Sequence, residues 1–270
     1  MVAEKQIAAV VGACGGAGAT RLTVEIAATM ARAGHEVCVV DAALETQGLA
    51  SYVPGRIAPD TTQVLADDAP VEEALVDLDL DSGGDSDSGG DSDSGGDSRI
   101  SGRVVVCPAS APLERFARAQ TAGSARTLGH LLDGLTAFDA VLVDTPPVAT
   151  NLALSAVTAA DRVGVVVPPD ERGADALQRV RDRLADAGAP LDAVIANRTT
   201  GGESMGEDDC PVDADVVVSK SNVRAPSKAP ACVPPDTVFA PTVARAAESL
   251  FDQQIELEFP EEGILDGFLD

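Results

Sequence analysis

The stretch QIAAVVGACGGAGATR, from Gln6 to Arg21, runs from an apolar segment into a glycine-rich turn and then into a helical pattern. Gln6 to Val11 has the continuous apolar character of a strand covered on both faces. Gly12 to Gly18 forms the turn. From Thr20 to Ala33 the residues Leu22, Ile26 and Met30 recur on one helical face. Gly34-His35 ends that helix, and EVCVVD, Glu36 to Asp41, reads as a second strand. Strand, turn, helix and strand in this order predict a βαβ unit with parallel neighbours and a right-handed crossover. In such a turn successive backbone N–H groups can cradle an anion, helped by the N-terminus of the following helix.

Outward from this unit, strands are expected at Arg103–Cys107, Ala140–Asp144, Arg162–Val167, Ala193–Asn197 and Asp215–Val218. Helices are expected at Ala122–Ala137, Leu152–Ala159, Gly173–Ala187 and Pro241–Asp252. The fold class is α/β, a three-layer sandwich with a mostly parallel, twisted sheet, and its ligand site should lie at the carboxyl ends of the strands. Residues 1–252 read as one domain and 253–270 as an acidic tail that either docks a partner or only solubilises. Between Asp81 and Ser98 the hexapeptide DSGGDS occurs three times. It holds no apolar residue to offset its ordering entropy, so 81–98 is expected to be a disordered insertion. The Asp77–Asp81 run lacks the Gly and closing Glu of an EF-hand loop. Gly202–Gly206 fits G-x-S-x-G, but His35 and His130 both precede Ser204, and the match is treated as chance.

The net charge is -25, with 44 acidic against 19 basic residues, of which only Lys5, Lys220 and Lys228 are lysines. Self-repulsion of this size is relieved by salt, which predicts a salt-loving, haloarchaeon-like source. It argues against non-specific nucleic-acid binding, which needs Lys and Arg to displace counterions. The five cysteines are scattered and lack CxxC spacing, as expected of reduced thiols in a cytoplasm. No signal peptide or long apolar run is seen, so the chain reads as a soluble cytoplasmic protein.

Four segments, in order, resemble the ParA/MinD family of P-loop nucleotide-binding proteins. The first is the turn. Against the family pattern KGGxGK[ST][ST], Gly15, Gly16, Gly18 and Thr20 match, Ala17 is the free position, Cys14 and Ala19 stand where the two lysines would be, and Arg21 fills the last place. The second is DAALETQGL from Asp41, similar to the family's DxD…QG segment, with Asp41 kept and Ala43 in place of the Asp that orients the attacking water. The third is VLVDTPP, Val141 to Pro147, which resembles the Walker B strand end. The fourth is AVIANR, Ala193 to Arg198.

The resemblance implies ATP and Mg²⁺ as cofactors. It places phosphates on residues 14–21, the metal at Thr20, Asp144 and Asp41, and the base at Asn197 and Arg198. It also implies a protein partner, either a second copy or an active paralogue. A rival dinucleotide site would put Asp41 on a ribose, but no G-x-G-x-x-G can be read in the turn. With both lysines and the second Asp missing, three readings stand side by side. One is a nucleotide-binding adaptor or regulator of partitioning, positioning or cell division with lost or weak hydrolysis. The second is an active ATPase. The third is a structural partner with an empty pocket. The acid-bearing tail is repelled by anionic lipid, so no membrane partner is expected.

Overall fold

The computed structural model describes residues 5–80, 100–199 and 211–260. The DSGGDS repeat, the Gly202–Gly206 match, Cys210 and the tail beyond residue 260 lie outside them.

The elements run β1 (Gln6–Gly12), α1 (Ala19–Arg32), β2 (Glu36–Asp41), α2 (Thr61–Asp67), α3 (Val71–Ala74), β3 (Val76–Asp77), β4 (Arg103–Cys107), α4 (Leu113–Ala119), α5 (Ala122–Gly134), β5 (Ala140–Thr145), α6 (Asn151–Ala159), β6 (Arg162–Val167), α7 (Glu171–Ala187), β7 (Ala193–Thr199), β8 (Val216–Ser219) and α8 (Phe239–Phe251). The eight strands form one sheet in the order β3-β4-β2-β5-β1-β6-β7-β8. All pairings are parallel except β3 with β4, where Val76 and Asp77 oppose Val106 and Val105.

Successive strand residues point to opposite faces, and the core divides accordingly. Ala8, Val10, Val39, Leu142 and Ile195 pack with α1 and α8 on one face. On the other face Cys38, Val40, Val141 and Val143 pack with α5 and α6, and Val11, Val165 and Val194 pack with α7. The result is the expected three-layer sandwich. It also explains why the strands read as unbroken apolar runs rather than as alternation.

β1 lies between β5 and β6, so the chain reverses its direction of travel across the sheet beside β1. Open α/β sheets bind ligands at such a switch, outside the carboxyl ends of the strands. The β1–α1 turn sits there.

Four short elements carry no periodic signal in the sequence. α2 and α4 have seven residues each and α3 four, while β3 has two. The start of α2 is fixed by Asp60, whose carboxylate accepts from the Gln63 N–H as an N-cap. The first residues after α8 are docked on this chain's own core. Ile255 is buried, Leu257 and Phe259 pack beside it, and the Arg32 guanidinium lies over the Phe259 ring.

Candidate functional site

The turn after β1 is held from outside by three side chains distant in sequence. Asn197 donates from Nδ2 to the Ala17 carbonyl at 2.9 Å. Arg198 donates to the Gly16 carbonyl at 2.8 Å, and Arg172, from the first turn of α7, to that of Gly15 at 3.1 Å. Within the turn the Ala17 N–H closes on the half-buried Cys14's carbonyl.

With its carbonyls fastened, the turn keeps its N–H groups free. Those of Gly15, Gly16, Gly18, Ala19, Thr20 and Arg21 donate to no acceptor among the described residues. Four of them open α1, where the helix dipole adds positive potential. This is the arrangement that binds a phosphate.

Gly18 is the hinge of the turn, with φ of 88° as N-cap of α1. A Cβ there would stand 2.6 Å from Asn197 Nδ2, so only glycine fits. Arg198 is itself held at φ 69°. A non-glycine residue stays in that region only when its surroundings enforce it.

Below the turn, β2 and β5 bring Asp41 and Asp144 into register. Both are buried. Asp41 is fully engaged, one oxygen accepting from the Ala43 N–H at 3.0 Å and the other from the Ala109 N–H at 3.2 Å. Asp144 differs. Its side chain is hydrogen-bonded by Thr20, yet its Oδ2 is buried without a partner among the described residues. Burial pushes the Asp144 carboxyl up to about 6, against the pull of the Thr20 hydrogen bond. Burial and the neighbouring Asp144 raise Asp41 further, against three backbone amides that favour its charge. The metal residues named from sequence are thus brought together, with Asp144 rather than Asp41 presenting an unengaged oxygen.

The second segment also closes on the site. A Cβ on Gly48 would meet the Thr20 side chain at 2.9 Å, so Gly48 covers Thr20. Ala43 is buried and places a methyl where the resemblance expects a carboxylate.

Arg21 turns away from the loop. Its Nε donates to Glu25 and its guanidinium hydrogen-bonds Tyr52. Glu25 is fully buried and also accepts the N–H groups of Ala231 at 2.8 Å and Cys232 at 2.9 Å. Beside Arg21 opens a cavity of about 390 Å³, bounded by Asn197, Arg198, Lys220, Arg224, Tyr52 and Phe239 among others.

Solved structures place this architecture. The cell division ATPase MinD of Pyrococcus furiosus superposes with a TM-score of 0.67 at 20% identity, over 92% of this chain and 98% of that one. A chain of the MinC:MinD cell division protein complex of Aquifex aeolicus gives 0.67 at 21% identity, over 94% and 98%. The chain has the ParA/MinD fold. The MinD of Pyrococcus horikoshii complexed with Mg-ADP shares it, with a TM-score of 0.62 at 21% identity over 80% and 82%. No protein-family model and no curated protein matches the sequence.

On this ParA/MinD fold the four sequence segments converge. The turn is joined to Asn197 and Arg198 through Ala17 and Gly16, and to Asp144 and its neighbour Asp41 through Thr20. Sequence reasoning missed Arg172, Tyr52, Glu25, Lys220 and Arg224. Arg172 and Glu25 sit in ordinary helical patterns and carry no local signal. Lys220 and Arg224 do carry one, because no acid occurs from Val216 to Pro235 in a chain with 44 of them.

Proposed function

We propose that this protein binds an adenine nucleotide with Mg²⁺ at the β1–α1 turn, hydrolyses it slowly or not at all, and works in the cytoplasm through a protein partner. Its role is that of an adaptor or regulator in partitioning, positioning or cell division. The observation that carries the reading is the pairing of six unengaged amides with the orphaned Asp144 oxygen beside Thr20.

The residues fit the ion. Mg²⁺ is commonly held by one or two carboxylates together with phosphate oxygens and water, rather than by an all-protein cage. Thr20 and Asp144 would hold it, and it would offset charge on the phosphates.

The weak or lost hydrolysis follows from the same residues. Each missing lysine removes a charge-assisted contact worth about 1.5–3 kcal/mol. Ala43 itself supplies no group to orient water. The fixed amides and the α1 dipole supply what binding remains.

Calorimetry with ATP and Mg²⁺ in high-salt buffer, paired with a phosphate-release assay, tests this reading. Binding without appreciable turnover is expected, and Thr20→Ala should remove the Mg²⁺-dependent part of the affinity. No binding at millimolar nucleotide rejects the proposal. Rapid turnover that is lost in Asp144→Ala assigns an active ATPase instead.

A further inference from the structure

The cavity beside the turn has a charge that a neutral base does not explain. Arg21 comes from α1, Arg198 from the end of β7, and Lys220 and Arg224 from the segment after β8, and all four line one space of about 390 Å³. The carboxylate that lines it, Glu25, already accepts from Arg21 and from the Ala231 and Cys232 amides. Arg198 donates to the Gly16 carbonyl. Lys220 and Arg224 make no hydrogen bond or ion pair among the described residues.

Cations gathered this closely repel one another, and in a chain of net charge -25 free carboxylates abound to neutralise them. Instead the stretch from Val216 to Pro235 contains no acid. Tyr52 and Phe239 add aromatic surface to the same walls. An anion attached to a flat, partly apolar body satisfies both features.

We infer that this cavity takes the ribose–base end of a nucleotide that carries additional negative charge there, such as a phosphate on the ribose. The inference rests on the nucleotide reading above and adds a ligand class to it. The amides of the turn would receive the 5′-phosphate. The four cations would receive the second anionic group, with Lys220 and Arg224 closing on it from the rim.

The test compares AMP with adenosine 3′,5′-bisphosphate and adenosine 2′,5′-bisphosphate by calorimetry, with ATP and Mg²⁺ titrated in the same buffer. The wild-type chain should bind one of the bisphosphates at least about 10-fold tighter than AMP. That preference should shrink as salt is raised. The double variant Lys220→Gln/Arg224→Gln alters exposed side chains without described partners. Its unfolding curve should match the wild type while its preference falls to within about 2-fold. Equal affinity of the wild type for AMP and both bisphosphates, with ATP still binding, overturns the inference and leaves the nucleotide reading intact. A bisphosphate preference without ATP binding does the reverse. Failure of every probe at millimolar concentration rejects both.

Discussion

Asp41 and Asp144 stand opposite each other in register at the carboxyl ends of β2 and β5, both buried, and only Asp144 keeps an oxygen without a partner among the described residues. Stability of the metal-free protein should therefore depend on pH in a particular way. Asp144 is raised from 3.8 to about 6, so between those values the folded state holds a proton that the unfolded chain has released. Its contribution is full below about 4 and is lost as pH rises through about 6. The burial penalty above that is on the order of 3 kcal/mol. Denaturant unfolding in EDTA from pH 4.5 to 8 should show Asp144→Asn gaining on the wild type as pH rises. Adding Mg²⁺ at pH 8 should stabilise the wild type only. Parallel curves for the two proteins would reject the assignment.

Gly18 and Gly188 offer a matched comparison. Both have positive φ, but a Cβ on Gly188 meets nothing within 4 Å, whereas one on Gly18 runs into Asn197. Gly188→Ala should lose about 1 kcal/mol from backbone conformation alone and retain nucleotide affinity. Gly18→Ala should lose about 2 kcal/mol or more and release the Asn197–Ala17 hydrogen bond. Equal stability loss and unchanged affinity in both would show that the turn does not depend on that contact.

Ala19 opens α1 where the resemblance expects a lysine. Ala19→Lys should tighten ATP binding by about 10-fold or more. It should not restore turnover by itself. Combined with Ala43→Asp, phosphate release should rise above the single variant. An affinity unchanged by Ala19→Lys would mean that phosphates do not lie on this turn.

The thiols separate by burial. Burial pushes Cys38 and Cys232 up, and Cys107 up to about 12, whereas Cys14 is half-buried in the turn. Thiolates, not thiols, are alkylated. In a Cys210→Ser background, native iodoacetamide labelling followed by peptide mass mapping should find Cys14 modified first. ATP with Mg²⁺ should slow it several-fold. Labelling rates indifferent to ATP would place the nucleotide elsewhere.

Much of the scaffold could be read from local pattern, because its strands are apolar on both faces and its long helices show a clear stripe. Leu22, Ile26 and Met30 announce α1, and they do lie buried against the sheet. The short elements escaped, since two residues of β3 cannot display a period. Within the site the backbone-binding parts were legible, as glycine spacing and strand-end Asp or Asn mark them. The side chains that brace them were not. Arg172 meets Gly15 across 157 positions, and nothing in its neighbourhood distinguishes it from Arg179 or Arg183. Glu25 reads as an ordinary helical acid, and only its two amide partners from 206 and 207 positions away reveal why it is buried.

The central place of β1 has a consequence for the order in which the molecule can assemble. Its two neighbours are β5 and β6, so Gln6–Gly12 has no partner strand until residues 140–145 and 162–167 have been synthesised. The turn then still waits for Arg172, Asn197 and Arg198 to fasten its carbonyls. The strand and its turn mature only after segments far downstream of them. A chain halted before Ala140 leaves β1 with neither of its partner strands, which is the condition that favours aggregation.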